Sequence, residues 1–178
     1  MSTLITTTVQ GVNTVKRDAS TTAMNINSDG VVTKPNNPAF VVTPSSSQLN
    51  TAVASWVTVS FGTRVHDPNS DFDLSNMRYV APVSGVYIFT ANIRLQNVDT
   101  AAVYYQSKIE VSNPSHNYYF ELISVDRFSA DLSYYTPNGA VIAYVNAGAY
   151  VTLKLYQGAG TAQTDIGLDT TFSGALIG

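Results

Sequence analysis

The chain reads as all-β: an antiparallel sandwich of about ten short strands behind an extended N-terminal arm. Two observations carry that reading. From Val86 to Leu95 the residues alternate, and Tyr87, Phe89, Ala91, Ile93 and Leu95 make one wholly apolar row, the period-two signature of a strand with one face in the core. Elsewhere, short β-branched and aromatic runs are separated at regular spacing by Pro, Gly, Asn and Ser clusters, with no helical periodicity.

Residues 1–36 differ from the rest. Residues 3–10 alternate loosely, 22–27 read as a strand, and Ser28-Asp29-Gly30-Val31 is a type I′ hairpin signal leading into 31–33. This arm holds no aromatic residue, so it buries too little surface to fold alone and needs neighbouring copies or another protein. Lys34-Pro35-Asn36-Asn37-Pro38 is a stiff, non-helical connector. The expected domains are a 1–36 attachment and trimerisation arm and a 37–178 head.

Within the head, 39–43 is a strand and 44–48 a Ser-rich loop. A strand over 55–63 carries two candidate core rows, Trp56/Thr58/Ser60 and Val57/Val59/Phe61, and 66–70 is a loop. Met77, Tyr79 and Ala81 alternate with Arg78 and Val80; Pro82, lacking an N–H, ends that pairing and Gly85 begins the next strand. Beyond Leu95 come a turn at 96–100, a strand over 102–112 closed by Asn113-Pro114-Ser115, a strand over 117–126 and a crossing loop over 127–138. A hairpin then joins 140–146 to 150–157, a Gly-rich loop covers 158–163, and the last strand is 170–177.

Phe72-Asp73, Asn76-x-x-Tyr79, Pro82-x-x-Gly85-x-Tyr87-x-Phe89 and the terminal Phe172-Ser173-Gly174-Ala175-Leu176 recur in the order seen in the complement C1q-like globular domain of the tumour-necrosis-factor superfamily, which 38–178 resembles. The pattern departs from that family at Asn76-Met77, where a glycine is usual, and at Ala175, where an aromatic is usual. The resemblance implies a jelly-roll sandwich with first and last strands adjacent, and a compact homotrimer about an axis lined by aromatic and aliphatic side chains. The Thr- and Asn-rich leader is similar to leaders of bacteriophage fibre and decoration proteins.

The tyrosine pairs Tyr104-Tyr105, Tyr118-Tyr119 and Tyr134-Tyr135 point the same way. Adjacent residues of a strand face opposite sides, so at most one of each pair enters the core and the other is available to an interface. These six are the candidate trimer contacts.

Composition narrows the function. Hydrophobic residues make up 44% of the 178, enough for one substantial core. Charged residues are only 12%, about half the usual ~25%, so the polar surface is built from Ser, Thr, Asn, Gln and Tyr. A net charge of −3 with no basic stripe argues against nucleic acid. No apolar run is long enough to span a membrane, and the first residues lack the charged and apolar regions of a secretory signal.

Catalytic chemistry is not legible. His66 and His116 lie beside Asp-Pro-Asn and Asn-Pro-Ser in expected loops, no Gly-x-Ser-x-Gly elbow occurs, and the two glutamates, Glu110 and Glu121, are mid-strand. Asp67, Asn69, Asp71 and Asp73 place oxygen at alternate positions and form the one candidate calcium loop, although Phe72 and Arg78 occupy the places of the helical calcium loop's glycine and glutamate. No cofactor is otherwise expected. Polar loops on a rigid sandwich carry recognition, which names Asn97, Asp99, Ser115, His116, Asn117, Thr161 and Gln163 as distal contact candidates.

The expected function is that of a trimeric virion surface protein, assembled in the host cytoplasm: a bacteriophage short fibre, fibre tip or capsid knob. It would dock on other virion proteins through residues 1–36 and present its head to a host-surface glycan or protein. The alternatives are a soluble C1q-like carbohydrate- or protein-binding module and a carbohydrate-active enzyme on the same scaffold.

Overall fold

The structure, a computed structural model, describes residues 11, 13–125 and 128–177. The chain divides into two compact units at Asn37/Pro38. In the first, β1 (Thr14–Lys16), β2 (Thr22–Ile26) and β3 (Val32–Thr33) form an antiparallel sheet. The hairpin between β2 and β3 is wider than the expected two-residue turn. Asn27 Oδ1 accepts from the Asp29 and Val31 amides, and Gly30 sits at φ 79°. None of the described residues of this unit is buried. The alternation over 3–10 lies outside the described residues.

The second unit is an antiparallel sandwich. One sheet runs β14 (Asn138–Val145), β9 (Gly85–Asn92), β17 (Thr171–Leu176), β4 (Ala39–Thr43), β6 (Thr63–His66). The other runs β12 (Ser115–Ile123), β11 (Tyr104–Ser112), β15 (Tyr150–Gly158), β8 (Arg78–Val80), β7 (Phe72–Asp73), with β5 (Trp56–Thr58) also on β15. A small third sheet orders β13 (Leu132–Tyr135), β10 (Leu95–Val98) and β16 (Asp165–Ile166). The first and last strands of the unit pair, Phe172 opposite Val42. Among the described residues no helix is long and apolar enough to cross a membrane.

The alternating row is the core. Tyr87, Phe89, Ile93 and Leu95 are fully buried and Ala91 nearly so. Phe40 sits at the centre of an aromatic cluster, its ring 4.6 Å from Tyr79, 5.0 Å from Phe172 and 5.3 Å from Phe72. Each such buried ring contributes about 2–3 kcal/mol of transfer free energy, offset largely by chain entropy.

Four segments depart from the sequence reading. The expected hairpin of 140–146 with 150–157 does not form: the 146–149 turn instead carries the chain from one sheet to the other, β14 pairing with β9 and β15 with β11. The expected strand over 55–63 is two strands on different sheets: β5 pairs with β15 and β6 with β4, and the chain crosses between them through buried Val59 and Phe61. Val57/Val59/Phe61 is therefore the inward row and Trp56 stands outside. The expected turn at 96–100 is mostly strand β10, because Leu95 and Val98 are buried and its backbone pairs with distant β13 and β16. Strand β13 in turn lies inside the expected crossing loop.

Candidate functional site

Strand directions sort the loops onto two ends. β17 runs antiparallel to β9, so Leu176 lies beside Tyr87, and Leu176 N donates to Pro38 O. Asn146 N donates to Asn113 O, which brings the 113–115 turn to the same end as Pro38 and Ile177. Gly158 pairs with Tyr104 at the other end of β11, a nine-residue strand, roughly 30 Å away.

The expected distal contacts therefore separate. Asn97, Asp99, Thr161 and Gln163 lie at the far end; Ser115, His116 and Asn117 lie at the end that holds Pro38. Asp99 is not a contact at all. It is 2% exposed, because its carboxylate accepts from the Ala101, Thr161 and Ala162 amides and ties two loops together. Burial by itself would raise its pKa, but those amide hydrogen bonds outweigh it and hold the carboxyl below its ordinary value. Beside it, Asn97, Asp131, Ser133 and Ala162 line a polar hollow of about 190 Å³. Asn97 adopts φ 53° and donates through Nδ2 to Asp165. Asp131 accepts from Thr100 N and Oγ1, which lowers its pKa.

The calcium reading of 67–73 does not hold together as a ligand set. Asp67 Oδ1 accepts from Asp71 N, and its Oδ2 accepts from Phe72 N and pairs with Arg64 at 3.0 Å. Asp73 caps Ser75 and Asn76 and faces Arg78 at 3.5 Å. Both carboxylates are thus engaged as turn caps and counter-ions. Asn69 has partners of its own. Among the described residues no cluster of three or more His, Asp or Glu could hold a metal.

The tyrosines are split by alternation. Tyr105 is fully buried and its hydroxyl accepts from Asp99 N, so it cannot contribute to an interface. Tyr104 is half-buried and stacked on Tyr156 at 5.5 Å; Tyr118 packs on the core and His116; Tyr119 is exposed beside Trp56. Tyr134 is exposed under the Arg94 guanidinium, 4.1 Å away, and Tyr135 packs on the core. None of the six lies on the five-stranded sheet.

That sheet holds the surface that residue-type reasoning passed over. Its outward positions on β14, β9, β17 and β4 include Val41, Val86, Ile88, Ile142, Tyr144 and Ala175, and no Asp, Glu, Lys or Arg. Ile142 is 62% and Tyr144 51% exposed. Small residues at the centre, Thr90 and Ser173, leave a hollow of about 230 Å³ walled by Val41, Ile88 and His66. The signal was present as alternation, since every apolar residue of β9 not in the core row had to face outward.

His66 borders this hollow, whereas His116 lies on the other sheet. Glu110 is held between Lys108 and Lys154 at 2.6 and 3.0 Å.

An antiparallel sandwich with first and last strands adjacent and loops gathered at two ends defines a jelly-roll domain. The C1q domain matches residues 39–177, and the chain belongs to that family. The globular domain of zebrafish complement 1qA protein superposes with TM-score 0.58 at 19% identity, over 80% of this chain and 98% of that one. Murine APRIL at pH 5.0 superposes with TM-score 0.55 at 11% identity, over 80% and 100% respectively. At these identities the likeness is one of fold. No curated protein matches the chain.

Proposed function

We propose that this protein is a homotrimeric, non-enzymatic attachment head on the surface of a virus particle, assembled in the host cytoplasm, with residues 1–36 docking on other particle proteins. The observation that carries the trimer is the uncharged outward face of the five-stranded sheet. An uncharged face that leaves Ile142 and Tyr144 more than half exposed matches the charge-depleted centre of an interface between copies. Cyclic symmetry closes such contacts into a ring, in keeping with the family resemblance. With the five-stranded sheets inward, the loop end holding Asn97 and Thr161 points away from Pro38 and is left to meet a host-surface glycan or protein.

Docking by the N-terminal unit is supported by its lack of any buried described residue while Val31 and Val32 are 53% and 51% exposed. Such a sheet gains stability by covering those residues with another surface. A soluble C1q-like module is the second reading, favoured by the family itself.

Sedimentation equilibrium tests the assembly. The expected mass is three times 19.1 kDa, falling to 19.1 kDa in Ile88→Glu, which places a charge on the apolar face. A wild-type monomer would overturn the trimer. Immunogold labelling of the producing organism's particles tests the location, and absence of label would leave the soluble module.

A further inference from the structure

The outward face of the six-stranded sheet has a different chemistry. Tyr105, Ile109, Val111, Val151, Leu153 and Leu155 point into the core, so alternation puts Tyr104, Lys108, Glu110, Thr152, Lys154 and Tyr156 outside. Four rings form one strip there. Tyr104 stacks on Tyr156 at 5.5 Å, Tyr156 lies 5.3 Å from Trp56, and Trp56 lies 5.9 Å from Tyr119. Trp56 belongs to β5 on the far side of β15, yet its ring is 4.6 Å from Lys108 Nζ on β11. The indole therefore reaches back across the sheet and lies over its charged centre.

That centre is polar and incompletely balanced. Lys108, whose side chain is 8% exposed, meets Glu110 Oε2 at 2.6 Å and Asn117 Oδ1 at 2.8 Å, while Lys154 meets Glu110 Oε1 at 3.0 Å. Two ammonium groups share one carboxylate. Thr152, directly opposite Glu110 and 6% exposed, has a hydroxyl with no hydrogen-bond partner. A purely packing role accounts for the rings, but it leaves an excess positive charge and a buried unpaired hydroxyl, both of which cost free energy.

Ring faces suit the C–H face of a pyranose, and donors beside them suit its hydroxyl and acidic groups. A peptide adding by backbone pairing has nothing to bond here, since the central strands are paired on both sides. We propose that this face is a binding platform for a carboxylate-bearing saccharide, its rings resting on the Tyr119–Trp56–Tyr156–Tyr104 strip and its carboxylate drawn to Lys154, whose side chain is 23% exposed and shares Glu110 with the buried Lys108. The inference names the glycan class of the attachment reading but requires neither the trimer nor the particle.

Native affinity electrophoresis of the full chain in gels containing polygalacturonate, with dextran as neutral control, tests it. Retardation by polygalacturonate alone is expected, weakening as salt rises. A chain of net charge −3 has no general attraction to a polyanion, so retention reports a local site. Tyr119→Ala, at a 55% exposed position, and Lys154→Gln are each expected to weaken apparent affinity about tenfold. Equal mobility with and without polygalacturonate, equal retardation by dextran, or an unchanged Tyr119→Ala variant would overturn the platform. The sedimentation mass of Tyr119→Ala, expected to equal wild type, separates failure here from failure of the assembly.

Discussion

Asp99 and Ala162 are 63 residues apart in sequence, yet the Ala162 amide donates to the buried Asp99 Oδ2 at 2.7 Å. Gly160, at φ 118°, passes so close that a β-carbon there would stand 2.6 Å from the same oxygen. One carboxylate thus sets the shape of the distal loops. Asp99→Asn is expected to lower stability by about 1–3 kcal/mol, since a neutral amide cannot accept from all of these donors, and urea denaturation measures the loss. Because the folded pKa is depressed, this contribution is present above the unfolded value of about 4 and is lost as pH falls through the folded value. The wild-type protein should therefore lose stability below about pH 4 more steeply than Asp99→Asn; parallel acid profiles would refute the assignment.

Gly174 faces the core of the five-stranded sheet where two rings meet. A β-carbon at this position would lie 2.5 Å from Phe89 Cδ1 and 2.8 Å from Phe40 Cε1. Both rings are packed among aromatic neighbours and have little room to yield. Gly174→Ala is expected to cost about 1–3 kcal/mol through overpacking. A thermal midpoint equal to wild type would show that the cluster rearranges freely.

Asp71 has the opposite pH behaviour. Burial, together with repulsion from Asp67, raises its pKa against a weaker lowering by Asn69, and its Oδ2 has no hydrogen-bond partner. A raised folded value means that its contribution is present below the unfolded pKa of about 4 and is lost as pH rises through the folded value, so the ionised form is a liability at neutral pH. Asp71→Asn should raise the thermal midpoint at pH 7, and the gain should shrink at pH 3, where wild-type Asp71 is protonated. A lower midpoint at pH 7 would mean that the carboxylate has a partner, such as a bound cation.

Much of the fold was legible because strand alternation is a local property. The core row from Tyr87 to Leu95 follows from residues within a few positions of one another, whereas which strand β14 and β15 each pair with does not. The site was less legible. Asp99 looks like an exposed loop acid until the 159–162 loop is folded onto it, and the 67–73 acids look like ligands until Arg64 and the turn amides occupy two of them.

The sequence by itself determined an all-β domain of the C1q type, with an inward row from Tyr87 to Leu95 and a leader too poor in large apolar groups to make a core. Only the tertiary structure decided that residues 95–98 are a strand, that Trp56 lies across the outer face, and that the 113–115 turn sits far from the 158–163 loop. The reason is physical. Alternation is written in adjacent residues, whereas pairing partners and the end of the sandwich that a loop occupies depend on contacts between segments tens of residues apart, as where β10 meets β13 and β16.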